Sequence, residues 1–182
     1  MDELRLSFHF WYSGNDGLIA DYLNRKCYHM ARKFSIRRAT AEDIDTLHDL
    51  LKQLEESLGA ADRVQRTPSD LLRHGFSEFP LFQSLIARQG DNPVGLALFF
   101  PEFSSWKGNP GVYVQDLYVA EAARGAGLGR QLMEAVFEVA RQWGAAYCKL
   151  AVYDDNEPAI RFYRKLGFAE SRDESVFLRD GL

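Results

Sequence analysis

The 182-residue chain is poor in cysteine and histidine, with two of the first and four of the second. Cys27 and Cys148 are too few for a disulfide framework, and neither stands in a CxxC. Cys148 lies in an apolar run, the setting of a core thiol. His9, His29, His48 and His74 include no pair at zinc-ligand spacing, so no metal site is expected. Long hydrophobic runs are also missing: none approaches the roughly 18 residues of a membrane span. The first residues after Met1, Asp2 and Glu3, are acidic and precede no apolar core, so no secretory signal is expected. Charge of one sign is scarce too. Twenty-two basic against 26 acidic side chains leave a net charge of -4. That disfavours nucleic acid or an anionic membrane as the main partner. The expectation is a soluble, cytoplasmic protein. What is present is ordinary globular composition, 46% hydrophobic and 26% charged. The length fits one domain, or one domain plus an extension, with a core that needs no disulfide or metal.

The opening 29 residues stand apart. They are aromatic-rich, carry the turn signal Ser13-Gly14-Asn15-Asp16-Gly17, and hold no sustained helical or strand period. Met30 then leads through Ala31-Arg32-Lys33 to Phe34, with the look of a chain start. Residues 1–29 read either as an appendage from an upstream start codon or as an element covering a sheet edge, which Phe8, Phe10 and Trp11 suit. Residues 30–182 read as the domain.

From Phe34 the pattern is regular. Phe34 to Arg38 alternates as a half-buried strand. Thr40 with Asp43 forms a capping box, and Ile44, Leu47, Leu51, Leu54 and Leu58 mark one helical face ending at Gly59. Thr67-Pro68-Ser69-Asp70 opens a second, short helix to Gly75. Strands are predicted over 82–88 and 94–103, joined by the hairpin signal Gln89-Gly90-Asp91-Asn92-Pro93. A loop is predicted over 104–111 and a further strand over 112–119. Leu128, Leu132, Val136, Val139 and Trp143 stripe a helix that Gly144 ends. A strand over 146–152 follows. Asn156 caps a last helix with Ala159, Phe162, Tyr163 and Leu166 on its buried side and Gly167 at its end. Two short strands, near Ala169 and over 176–178, complete the order β-α-α-β-β-β-α-β-α-β-β. The fold class is α/β (α+β), a mixed sheet with helices on both faces.

The densest signal is Arg124-Gly125-Ala126-Gly127-Leu128-Gly129, between a strand and a helix. Unpaired backbone N–H groups and the helix dipole at such a turn favour an anion, and glycines admit a phosphate close to the backbone. A nucleotide P-loop requires Gly-Lys-Ser/Thr, but Arg130-Gln131 follows Gly129. A dinucleotide fingerprint requires a third glycine where Arg130 stands, and too few residues remain for the rest of a doubly wound sheet. The pyrophosphate of coenzyme A is the candidate left.

Gln115-Asp116-Leu117-Tyr118-Val119 followed by Arg124-Gly-x-Gly-x-Gly129 resembles the acyl-CoA signature of the GNAT superfamily of N-acyltransferases. Asn156-Glu157-Pro158-Ala159-x-x-Phe162-Tyr163-x-x-x-Gly167-Phe168 resembles its second motif. Within the superfamily the chain is most similar to the diamine (spermidine/spermine) N-acetyltransferase branch. Asp70-Leu-Leu-x-x-Gly75-Phe76 with Pro80, Trp106-x-Gly108, and Gly111 before Tyr113-Val114-Gln115-Asp116 carry that likeness. It implies a GNAT fold, with a mostly antiparallel sheet of about six or seven strands, and a homodimer.

The resemblance also implies an activity: direct acetyl transfer from acetyl-CoA to a primary amine of a small molecule, polyamine-like or amino-acid-like, with no metal. Arg124, Gly125, Ala126, Gly127, Leu128, Gly129 and Arg130 would hold the pyrophosphate. The backbone of Leu117, Tyr118 and Val119 would pair with the pantetheine arm like an added strand, and one of their N–H groups would face the developing oxyanion. Asn156, Glu157, Pro158 and Ala159 would contact the cofactor. Tyr163 matches the family's general acid, and a tyrosine near its usual pKa of ~10 carries a proton at neutral pH.

The likeness fails at two places. The branch carries a glutamate where Gln115 stands, and glutamine accepts no proton. Asp116 is adjacent, but strand alternation turns it to the other face; Glu102, Glu55 and Glu56 remain as substitutes. The branch's Tyr-Glu pair near the end of the first helix is replaced by Ser57-Leu58; Glu55 and Glu56 just upstream read as a solvated face, and loss of both acids disfavours a polycation. The alternatives are a peptide or protein N-acetyltransferase, a non-catalytic acyl-CoA-binding module, which Gln115 favours, and an NAD(P)-linked enzyme, which Arg130 disfavours.

Overall fold

A computed structural model describes residues 34–171. Its elements run β1 (Ser35–Arg38), α1 (Ile44–Ser57), α2 (Pro68–Gly75), β2 (Gln83–Gln89), β3 (Asn92–Ser104), β4 (Asn109–Val119), α3 (Leu128–Gln142), β5 (Tyr147–Leu150) and α4 (Glu157–Lys165). The strands form one sheet in the order β1-β2-β3-β4-β5, antiparallel except for the parallel β4–β5 pair. The chain divides after Leu150, so β1 to β5 form one unit and α4 belongs to another.

The predicted order holds through its first nine elements. The sheet has five strands among the described residues, fewer than the six or seven expected. Phe168 to Ser171 is not strand, which corrects the expectation near Ala169. The strand expected over 176–178 lies outside the described residues, as do residues 1–29, Cys27, His9 and His29. The loop expected over 104–111 is shorter, because Ser104 pairs with Asn109 and Glu102 with Gly111. The strand expected over 146–152 is confined to Tyr147–Leu150.

Helices cover both sheet faces. Leu47, Leu50 and Leu51 of α1 pack with Leu71, Ile86, Leu96, Leu98 and Tyr118. Leu50 takes the place expected of Leu58, which lies past the helix end and is 42% exposed. The opposite face carries Leu85, Ala97, Phe99, Val112 and Val114, all buried. There α3 buries Leu128, Leu132, Met133, Val136 and Val139, and Trp143 lies 5.7 Å from Phe99, ring to ring. Gly95 is required where α3 crosses β3: a Cβ there would come within 2.8 Å of Tyr118 O and 3.3 Å of Leu132 Cδ1. Cys148 is half-buried, and burial pushes its thiol pKa up to about 12.

The start of α1 is held by charge as well as by its cap. Thr40 N–H donates to Asp43 Oδ2 at 2.8 Å, and Arg37 donates to both Asp43 oxygens at 2.6 Å. These donors outweigh the burial of Asp43 and hold its pKa down at about 2. The contribution to stability is full above an unfolded pKa of ~4 and is lost as pH falls toward 2. Asp43→Asn is expected to cost roughly 1–2 kcal/mol, discounted for the half-exposed Arg37. A lower urea midpoint at pH 7, converging with wild type near pH 2, checks it.

Candidate active site

The site starts from a slip in the sheet. Between β3 and β4, Leu98 faces Asp116 but Phe99 faces Val114, so Gln115 is an extra residue with no partner across the strand. A bulge of this kind bends a strand and re-aims its side chains. Three consequences follow.

The first concerns the strand edge. β4 pairs with β5 over Gly111–Val114, so among the described residues it has no strand partner on that side beyond the bulge. Ala120 N–H donates to Val94 O at 2.9 Å. Alternation of antiparallel hydrogen bonding then assigns Tyr118 and Asp116 to the β3 ladder. The backbone groups of Leu117 and Val119 point the other way, along the open edge, and Val119 O already accepts from Arg124 Nε at 3.0 Å. Tyr118 is thereby corrected: its backbone serves β3, while its buried side chain packs under α1 and its hydroxyl meets Gln53 Oε1 at 3.2 Å.

The second concerns Asp116. Alternation from Gln115 assigned it to the far face, but its partner Leu98 belongs to the α1 core, so Asp116 lies on the α1 side of the sheet. Burial pushes its carboxyl up to about 6; Arg66 opposes that shift and Glu55 reinforces it. Gln115 itself is exposed.

The third concerns the other acids. Glu55 is not on a solvated face, since its carboxylate pairs with Arg66 through Nη1 and, at 3.3 Å, through Nη2. Glu56 is solvated, with Lys52 at 4.0 Å. Glu102 stands four residues along β3 from Leu98, a distance of ~13 Å by strand rise. It raises the Tyr147 pKa through charge and a hydrogen bond, after burial. It is therefore remote from Asp116.

The glycine loop leads from the end of β4, through a short 3₁₀ turn at Glu121–Ala123, into α3. Gly125 and Gly127 adopt φ of 73° and 80°, which side chains rarely tolerate, and a Cβ at either would meet open space. Gln131 N–H is bonded to Gly127 O at 3.1 Å. The N–H groups of Leu128 and Gly129 therefore precede the first helical bond and are open to an outside acceptor. The first turn of α3 holds no acid, and no side chain caps it. Arg124 and Ala126 are exposed beside it; Arg130 reaches Glu134 at 3.5 Å.

In the second unit, Asn156 Oδ1 caps α4 by accepting from Ala159 N–H at 3.2 Å, and Glu157 and Pro158 form its first turn. Tyr163 is half-buried. Phe162 and Phe168 meet its ring edge-on, at 5.1 and 5.6 Å. No side chain of α4 is fully buried, so the face expected to be buried is a half-buried one. Gly167 ends the helix with φ 93°, as expected.

Sequence reasoning overlooked Arg66 and dismissed Asp116. Nothing in a single sequence marks a one-residue bulge, and Arg66 earns notice only through the pairing that folding gives it.

Among the described residues, an unpaired strand edge beside a glycine-lined helix N-terminus suits an extended ligand that carries a phosphate. Comparison with known proteins agrees: residues 44–168 match the Acetyltransferase (GNAT) family, and the chain belongs to it. It is 34% identical to the thialysine N-epsilon-acetyltransferase of Bos taurus over 140 residues, 72% of this chain and 82% of that one. It is 30% identical to spermidine/spermine N(1)-acetyltransferase-like protein 1 of Homo sapiens, over 78% of this chain and 21% of that longer one. Among solved structures, an integron cassette protein from the mobile metagenome of V. cholerae superposes with a TM-score of 0.68 at 22% identity, covering 83% of this chain and 94% of that one. The chain is an N-acetyltransferase of the diamine acetyltransferase branch.

Proposed function

We propose that the chain acetylates the side-chain amine of a lysine-like amino acid, using acetyl-CoA and Asp116 as the base. The observation that carries this reading is the bulge at Gln115, which turns Asp116 toward the α1 side. The residues present fit acetyl-CoA. The N–H groups of Leu128 and Gly129 at the start of α3 and exposed Arg124 suit a pyrophosphate, and the edge at Leu117 and Val119 suits an extended amide-bearing arm. When bound, acetyl-CoA supplies the activated acetyl group.

The chain's own residues do the rest. Asp116, ionised above about pH 6, takes a proton from the attacking amine as the new N–C bond forms. An N–H group of Leu117 or Val119 donates to the carbonyl oxygen. Tyr163, placed in this role by the family motif, gives its hydroxyl proton to the departing sulfur as the C–S bond breaks. On family likeness the reading includes a homodimer in the cytoplasm. The relative's substrate, thialysine, is lysine with sulfur in its side chain, and its carboxylate sets it apart from a polyamine.

Release of free thiol from acetyl-CoA, followed with thialysine, lysine, ornithine, spermidine, an aminoglycoside and a lysine-containing peptide, tests this. The expected result is turnover with a free basic amino acid and little with spermidine. Turnover confined to the peptide, or none with any amine, overturns the reading.

A further inference from the structure

A cavity of about 220 Å³ opens beside α1, lined by His48, Lys52, Glu55, Ala61, Val64 and Arg66. His48, Lys52 and Glu55 are spaced by four and three residues, so they share one helical face and span ~10 Å along the axis. That is the scale of an extended basic amino acid. The opposite wall is the short turn Ala61–Arg63 and the strand-like segment after it.

The charges in this cavity are unequal. Glu55 is its sole carboxylate, and Arg66 neutralises it in a two-pronged pair. That pairing fixes the guanidinium, whose buried Nε has no hydrogen-bond partner. Lys52 is exposed, with Glu56 only at 4.0 Å. His48 adds a ring nitrogen. The balance is cationic, and it repels the free end of a diamine while it attracts a carboxylate. Asp116 lies within electrostatic reach of the Glu55–Arg66 pair, and its strand β4 contacts α1.

We propose that this cavity is a carboxylate subsite, in which Lys52 and His48 hold the α-carboxylate of the acceptor, with Arg66 neutralising Glu55 beside them, while its side-chain amine reaches Asp116. The assignment rests on the proposed function and adds to it the residues that select an amino acid over the matching diamine. Arg66, its fork occupied by Glu55, cancels the carboxylate of the lining that would otherwise repel an anion. Lys52 contributes a mobile point charge at the mouth.

The test compares substrate pairs that differ only in the carboxylate: ornithine with putrescine, and lysine with cadaverine. The measured quantity is the ratio of kcat/KM within each pair. Wild type is expected to favour the amino acid by about tenfold or more, as a charge-assisted contact does. Lys52→Ala and the double variant Lys52→Ala/His48→Gln lie on the exposed side of α1, and each is expected to reduce the ratio severalfold. Lys52→Arg is expected to restore it, and Arg66→Gln to reduce it further. General loss of fold or of acetyl-CoA binding lowers both members of a pair and leaves the ratio in place. A ratio unchanged in the Lys52 variants overturns the subsite, as does a wild type indifferent to the carboxylate; both leave acetylation of small amines standing. Absence of turnover with all four amines overturns the proposed function and the subsite with it.

Discussion

Tyr163→Phe is expected to lower kcat by about 10²-fold or more, the usual worth of a positioned acid. The substitution removes one oxygen and keeps the ring. The edge-on contacts of Tyr163 with Phe162 and Phe168 therefore survive, and so does the helix, whose cap at Asn156 is about two turns away. A loss in kcat with the KM for acetyl-CoA held within about twofold assigns the hydroxyl to a step after binding. A thiol that leaves more easily tests the same point from the substrate side: an acetyl thioester of lower thiol pKa needs less acid help, so the defect shrinks. Full activity in the variant assigns Tyr163 to packing alone.

Asp116→Asn is expected to produce a comparable loss, ~10²-fold or more in kcat/KM, with the opposite effect on stability. In wild type kcat/KM is expected to rise through about pH 6, where Asp116 ionises, and the variant is expected to lose that limb. The stability sign follows from the raised pKa. A carboxyl whose folded pKa lies above its unfolded value of 3.8 stabilises the fold while protonated. That contribution is complete below about pH 4 and disappears as pH rises through about 6. At pH 8 the ionised, enclosed carboxylate is a cost of about 2–3 kcal/mol, which asparagine does not carry. The variant should melt higher than wild type at pH 8 and alike at pH 4. A variant that is less active and more stable marks a residue kept for chemistry at the expense of the fold. A variant that keeps wild-type activity and its acid limb moves the base elsewhere.

The sequence made the scaffold legible because period and punctuation agree there. Thr40 with Asp43, Thr67 with Asp70, and Gly144 stand where caps and stops were expected, and the stripe from Leu128 to Val139 is buried throughout. Such local signals need no tertiary partner. The glycine loop was legible for a related reason, since positive φ and an open helix end are written directly in residue type. The acceptor side was not. Its residues acquire meaning only in pairs: Glu55 through Arg66, eleven residues on, and Asp116 through a register that depends on β3. Alternation gave the wrong face for Asp116 because a period of two presumes an unbroken ladder. Leu58 failed similarly, extrapolated one step past a helix that ends at Ser57.

The exposed glutamine at 115 can be read as a phase slip in a two-beat rhythm. Upstream of it β4 is an interior strand, flanked by β3 and β5; downstream, among the described residues, it has one strand neighbour, β3. The same slip swaps which beat faces α1. On the proposed function, one added residue thus sets both a place to lay a thioester's amide-bearing tail and the direction from which a base approaches it. The two cannot be tuned apart, because they share one offset. Any insertion or deletion within a few residues of Gln115 would shift donor edge and acceptor carboxylate together, whereas substitutions at 115 itself leave the offset intact. The side chain at this position is free to vary as chemistry requires, while the count of residues is not.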